Sequence, residues 1–147
     1  MVVFTTRFIY SKNGGDFLKI VKTKPELCNG CGNCMVECSK VLFKVKDSEK
    51  SAIRIKEKKE QVGQYDIYVC DHCGECIPSC NTKSLYEAKN GVVRLDKEKC
   101  VGCYICVGFC PNESIYVNLE INEPIKCIAC GACTRVCPTG AIFMEEK

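Results

Sequence analysis

The chain has 147 residues, with 21 Lys plus Arg against 18 Asp plus Glu and a single His, giving a formal net charge of +3. Sixteen Cys, no Trp, and only 6 Phe and 6 Tyr leave few large residues for the packed core of an ordinary domain of this length. No apolar run nears the roughly 20 residues needed to cross a bilayer; residues 1–16 also lack an apolar stretch after a basic start and a twin-arginine pair, so a soluble, cytoplasmic chain is expected.

In chain order, residues 2–10 and 17–23 read as two strands joined by Lys12-Asn-Gly-Gly-Asp, an N-terminal hairpin extension spanning 1–24. It serves as a sheet extension over a metal site or as a docking edge for a partner. The first cysteine run follows: Cys28, Cys31, Cys34 and Cys38. Residues 41–46 and 52–56 alternate around Asp47-Ser-Glu-Lys-Ser and predict a β-hairpin insertion over 41–66. Its Lys44, Lys46, Lys50, Lys56, Lys58 and Lys59 form a basic stretch, either a solvated face or a patch for an acidic partner.

The second run is Cys70, Cys73, Cys76 and Cys80. His72 lies inside it, and because cysteine supplies every ligand, a tuning role by charge or hydrogen bond suits it better than ligation. Residues 84–89 and 92–96, joined at Asn90-Gly91, read as a tight hairpin that delivers the chain into the third run, Cys100, Cys103, Cys106 and Cys110. Tyr104, Ile105, Val107 and Phe109, interleaved with this run, are expected to shield a metal site from water. The fourth run is Cys127, Cys130, Cys133 and Cys137. Gly32, Gly74, Gly102 and Gly131 sit where tight turns bring backbone N–H groups close to sulfur.

All four runs share the rhythm Cys-x2-Cys-x2-Cys-x3-Cys, and no cysteine is left over. That is the ligand spacing of bacterial-type [4Fe-4S] sites, in which three thiolates hold one cluster and the fourth reaches a neighbouring one. Four [4Fe-4S] clusters are therefore expected. Structural zinc pairs cysteines as two Cys-x2-Cys halves around one tetrahedron and leaves this rhythm unexplained. A disulfide framework belongs to an oxidising compartment, where short secreted chains are found.

Cluster ligation substitutes for the missing core, so the apo chain should be largely unfolded. An oxidised cubane with four thiolates carries about −2, which turns the formal +3 into roughly −5 for the loaded protein. An acidic holo-protein argues against nucleic acid as a partner.

Nineteen residues separate Cys80 from Cys100, 16 separate Cys110 from Cys127, and 31 separate Cys38 from Cys70. The Asn90-Gly91 hairpin favours joining runs two and three as an inner module over 67–119, with runs one and four as an outer module over 25–40 and 120–147. The ligand sets are then Cys28, Cys31, Cys34 with Cys137; Cys127, Cys130, Cys133 with Cys38; Cys70, Cys73, Cys76 with Cys110; and Cys100, Cys103, Cys106 with Cys80. Pairing one with two and three with four is the alternative, and connection lengths leave it open. The fold class expected is α+β, two bacterial-ferredoxin-like modules of two clusters each, one nested in the other, with β-hairpin additions.

The order of the four runs, with "NGVVRLDKEKCVGC" between the middle two and "CPTGAI" closing the last, resembles the four-cluster polyferredoxin subunits of redox complexes. Such subunits accompany tungsten and molybdenum oxidoreductases, formate and carbon monoxide dehydrogenases and hydrogenases. Run four has no long insertion between its second and third cysteines, and this compactness is similar to the small subunit of tungsten-dependent aldehyde oxidoreductases. Pro111 and Pro138 follow the last cysteine of runs three and four, whereas Ser39 and Asn81 stand there in runs one and two, a departure that affects local geometry but not ligation.

The resemblance implies a non-catalytic subunit of an oxidoreductase complex, carrying single electrons between a larger catalytic subunit and an external carrier such as ferredoxin under anaerobic conditions. A free, diffusible polyferredoxin is the alternative, and a zinc-dependent interaction module the remote one. No nucleophile with a base, no phosphate loop and no acid-base pair emerges from the sequence.

Overall fold

A computed structural model of the chain describes residues 18–146. Three two-stranded antiparallel sheets and three helices make up an α+β architecture. Strand β1 (Lys19–Thr23) pairs with β6 (Ile142–Glu146), Lys19 opposite Glu146 and Thr23 opposite Ile142. This ladder holds the segment that enters run one beside the segment that leaves run four. Helix α1 (Asn33–Phe43) packs on α3 (Ala132–Val136), so the two runs also meet through their helices. Strands β4 (Leu85–Glu87) and β5 (Val93–Leu95) form the hairpin expected around Asn90-Gly91, with Tyr86 opposite Arg94. The short helix α2 (Ile105–Phe109) carries the third run.

The strand expected over residues 2–10 lies outside the described residues; the one expected over 17–23 forms as β1, paired with β6. The hairpin expected between 41–46 and 52–56 does not form: residues through Phe43 are helical, and β2 (Ile53–Glu57) pairs with β3 (Tyr65–Val69). The reason lies at Ser39. A proline after the fourth cysteine lacks the N–H that a continuing helix needs, and where Pro111 and Pro138 stand, helices α2 and α3 have already ended at Phe109 and Val136. With Ser39 in that place α1 runs on to Phe43 and stops at Lys44, whose φ of 61° breaks the helix. The fully buried Ser39 hydroxyl lies 2.8 Å from the carbonyls of both Val36 and Val45 and accepts from the Asp47 N–H, tying the helix end to the turn that follows. Asp47 then caps a 3-10 turn over Ser48–Lys50 by accepting from the Glu49 N–H.

The apolar core is split in two, and cysteines belong to both halves. One cluster gathers Val21, Ile53, Ile125 and Ile142 with Cys34, Cys70, Cys127 and Cys133; the other gathers Leu85, Val93 and Ile115 with Cys76 and Cys106. Among the described residues no helix is long and apolar enough to cross a membrane.

All four runs share one backbone device. The residue before the second cysteine is left-handed in each run (Gly30, His72, Gly102 and Ala129, φ 57 to 74°), and so is the residue after it (Gly32, Gly74, Tyr104 and Gly131, φ 59 to 84°). Two left-handed residues around one cysteine reverse the chain twice within a few residues and push that cysteine outward. Glycine adopts this conformation freely, whereas His72, Tyr104 and Ala129 adopt it at a cost. At Gly102 space is also short, because an added Cβ would lie 2.7 Å from the Asn122 carbonyl oxygen; at Gly74 the nearest atom would be Ile77 Cδ1 at 3.7 Å. Gly74→Ala is therefore expected to cost the left-handed strain alone, ~1–2 kcal/mol, and Gly102→Ala to add ~1–3 kcal/mol of overpacking. Anaerobic guanidinium titrations of the two variants, followed by cluster absorbance, check this order.

Candidate metal centres

The four runs present their sulfurs in a repeated pattern. The third cysteine of each run is buried (Cys34, Cys76, Cys106, Cys133) and the second is exposed (Cys31, Cys73, Cys103, Cys130). The first cysteine is buried in runs two and four (Cys70, Cys127) but half-buried in runs one and three (Cys28, Cys100). The fourth is half-buried in all (Cys38, Cys80, Cys110, Cys137), and all sixteen are free thiols, which leaves the disulfide framework without support.

Two hollows lie among these sulfurs. One is lined by Cys127, Cys130 and Cys133 of run four together with Cys38 of run one. The other is lined by Cys70, Cys73 and Cys76 of run two together with Cys110 of run three. The remaining sulfurs associate in the same manner. Burial pushes the Cys34 thiol up to about 12, with the Met35 N–H opposing it and the charges of Cys28, Cys31 and Cys137 adding to it. Burial pushes Cys106 up to about 11, and Cys100, Cys103 and Cys80 add to it. In both hollows, three cysteines of one run thus meet the last cysteine of another.

Backbone N–H groups aim at the sulfurs, as thiolate acceptors require. The first cysteine accepts from the residue two positions on in three runs: Gly30 to Cys28 at 3.4 Å, His72 to Cys70 and Ala129 to Cys127 at 3.3 Å. The fourth cysteine accepts from the residue four positions on in runs two and three, Ser84 to Cys80 and Ser114 to Cys110, both at 3.3 Å. In run one the extended helix moves the chain away, and Ala52 donates to Cys38 instead at 3.2 Å. A small buried residue followed by a large one closes over each fourth sulfur: Ala52-Ile53, Ser84-Leu85, Ser114-Ile115 and Ala141-Ile142, none more than 4% exposed.

Sequence reading missed these pairs, although three of them stand at a fixed distance from the fourth cysteine. Their effect is clearest at Cys80. Burial would raise this thiol, yet hydrogen bonding by Thr82, Leu85 and Ser84 pulls it down to about 7.

The donor set fits iron-sulfur clusters. Among the described residues no His, Cys, Asp or Glu side chains form a group that could hold a single metal ion. A tetrahedral zinc needs sulfurs drawn in to ~2.3 Å, whereas a cubane spreads its four ligands over four irons.

The interleaved residues behave less uniformly than expected. Val107 packs against the apolar cluster that includes Cys76 and Cys106, but Ile105 and Phe109 are exposed, Phe109 at 62%, and the Tyr104 hydroxyl donates to the Asn122 carbonyl at 2.7 Å and lies 3.0 Å from that of Ile121. Shielding at run three therefore rests on Val107. His72 is buried with Nδ1 accepting from the Val93 N–H at 3.1 Å, so its ring faces the β4–β5 hairpin. Lys126, which sequence reading passed over, is buried beside Cys70. Its place just before Cys127 carries no signal, since the exposed Lys99 stands likewise before Cys100.

Models of the 4Fe-4S binding domain match four segments, one per run: residues 93–116 and 123–143 by one model, 25–41 and 67–83 by another. The chain is 35% identical over 99 residues to thiosulfate reductase electron transfer subunit PhsB of Salmonella typhi, which covers 62% of this chain and 51% of the relative. It is 29% identical over 104 residues to a tetrathionate reductase subunit of Salmonella typhimurium, covering 63% of this chain and 40% of the relative. The chain thus spans about half or less of the length of these relatives. A chain of the active site complex BamBC of benzoyl coenzyme A reductase shares the fold, with a TM-score of 0.50 and 18% identity, over 89% of this chain and 81% of that one. The chain therefore carries 4Fe-4S binding domains, and its relatives include electron-transfer subunits of reductases.

A thiol must lose its proton to bind iron, and burial holds Cys34, Cys76, Cys106 and Cys127 above the ordinary value of 9.0. Cluster assembly then releases protons, whether the thiols start in a folded or an unfolded chain, and is favoured as pH rises. The yield of anaerobic reconstitution, read from the charge-transfer absorbance, is expected to fall steadily from pH 9 to pH 6.

Proposed function

We propose that the chain is a non-catalytic electron-transfer subunit holding four [4Fe-4S] clusters. The ligand sets are Cys28, Cys31, Cys34 and Cys137; Cys127, Cys130, Cys133 and Cys38; Cys70, Cys73, Cys76 and Cys110; and Cys100, Cys103, Cys106 and Cys80. The supporting observation is the lining of the two hollows, each with three cysteines from one run and the last of another.

Runs one and four then form an outer module over 25–40 and 120–147, wrapped around an inner module over 67–119, with 1–24 and 41–66 as additions. Within each module the two sites exchange their last cysteines, and Lys126, next in the chain to Cys127, donates to Cys70 Sγ; on this reading the four sites stand in a line, from run one through runs four and two to run three. Each cluster, when bound, takes up and releases one electron. The residues supply the rest: thiolates fix the position of each site, buried aliphatic side chains exclude water between them, and N–H groups set the charge at the sulfurs.

The chain passes electrons between the catalytic subunit of an oxidoreductase, of the tungsten or molybdenum aldehyde oxidoreductase, hydrogenase or dehydrogenase type, and an external carrier such as ferredoxin. The compact fourth run favours the tungsten-dependent aldehyde oxidoreductase type. The setting is an anaerobic cytoplasm. Stoichiometric co-purification with a larger subunit distinguishes this role from that of a diffusible polyferredoxin.

Iron analysis of anaerobically purified protein should give about sixteen irons per chain, with a cubane signal on reduction, four irons for each of four sites. The ligand sets are checked by non-additivity. In a variant lacking Cys70, Cys73 and Cys76, adding Cys110→Ala should remove no further iron, whereas adding Cys38→Ala should perturb a second cluster. Equal losses from both additions would refute the assignment.

A further inference from the structure

Among the described residues Lys126 is the buried charged side chain, 6% exposed, where no Arg, Asp or Glu and no other Lys is buried. Its ammonium donates to the Val93 carbonyl at 2.8 Å and to Cys70 Sγ at 3.2 Å. The Cys127 carbonyl and His72 Nδ1 each lie 3.4 Å from the same nitrogen. Val93 holds the arrangement from its other side by donating its N–H to His72 Nδ1. A buried ammonium needs electron-rich partners close by, and here one of them is a sulfur of run two, 3.2 Å away.

The place of this cation in the fold is specific. Lys126 is bonded through its peptide to Cys127 and through its side chain to Cys70, the two first cysteines that are buried. Cys127 belongs to the outer module and Cys70 to the inner one, so on the proposed ligand sets this is where electrons cross between them. A structural clamp between β5 and run four would need only the carbonyl contacts; the contact with sulfur places positive charge on a metal ligand.

We propose that Lys126 is a positioning residue for electron transfer: by donating to Cys70 Sγ it makes the site of Cys70, Cys73, Cys76 and Cys110 easier to reduce, so that an electron crossing between modules is held there. Uptake of one electron from the neighbouring site takes the charge of this site and its ligands from about −2 to about −3 with no proton transferred, and a fixed cation favours the more negative state. The inference rests on the four-cluster relay proposed above.

Potentiometric titration of the anaerobic holo-protein, followed by electron paramagnetic resonance, tests it in Lys126→Met and Lys126→Gln. Both variants should keep about sixteen irons. One of the four transitions should move to lower potential by a tenfold change in its reduction equilibrium, about 59 mV for one electron, while the other three stay near their places. Lys99→Met should give no such shift. Unchanged potentials in a fully loaded Lys126 variant would overturn the inference and leave the relay standing. Should the variants lose iron, wild-type protein labelled with 15N at lysine Nζ decides: a nitrogen coupling to one reduced cluster supports the contact, and its absence refutes it. A wild-type protein without cubane signals would overturn the relay and this inference together.

Discussion

A thiolate drawn away from water is unfavourable unless positive charge and hydrogen-bond donors meet it, and this constraint shapes nearly every element of the chain. Runs of three cysteines present one sulfur outward and one inward, because left-handed residues flank the second cysteine in every run. The short helices then carry the fourth cysteine away from its own loop. Strands begin where a small and a large buried residue close over that sulfur, so Ile53, Leu85 and Ile142 each open or lie at the start of a strand. With 147 residues and no Trp, the protein has no separate core to fall back on; cysteines are members of both apolar clusters.

The sequence made the repeated part legible because ligand spacing is a covalent fact. Four runs, their shared rhythm and a hairpin at Asn90-Gly91 could all be read directly, although the turn closes as a three-residue loop, Lys89-Asn90-Gly91, between Ala88 and Val92, with only Gly91 left-handed. The segment after run one was harder. Val41, Leu42 and Phe43 are compatible with strand or helix, and an apolar run this short carries no decisive period. What decides it is the absence of proline after Cys38, together with a serine whose buried hydroxyl is satisfied at the helix end. That is a tertiary condition. The same displacement leaves β2 to pair with β3 across an exposed connection, a partner that local alternation could not name.

Charge was legible in amount but not in use. Of the basic stretch between runs one and two, Lys50 pairs with Glu120 and Asp47, Lys58 lies 3.7 Å from Asp66, and Lys56 stacks over the Tyr68 ring at 5.1 Å. Half of the stretch is thus engaged within the chain, which favours the solvated-face account over a dedicated docking patch. Exposed ion pairs of this kind contribute little stability individually. The cation that matters most for the sites is the buried Lys126, which composition counts with the rest.

Burial of the first cysteines separates the middle of the array from its ends. Cys70 and Cys127, in the two central sites of the proposed order, are buried, while Cys28 and Cys100, in the terminal ones, are half-buried. At the run-three end Val101, Ile105 and Phe109 are also exposed, so apolar side chains stand on the surface of that run. Solvent exposure and nearby charge both set the ease of reduction of such sites. A relay needs its ends accessible to donors and acceptors and its interior protected from water, and the gradient of burial along the four runs provides that difference. Among the described residues the buried cation sits beside the buried Cys70 and Cys127, and not beside the half-buried Cys28 or Cys100, which keeps its field from being screened by solvent. The same low-dielectric setting that makes Lys126 expensive to bury makes its hydrogen bond to Cys70 effective.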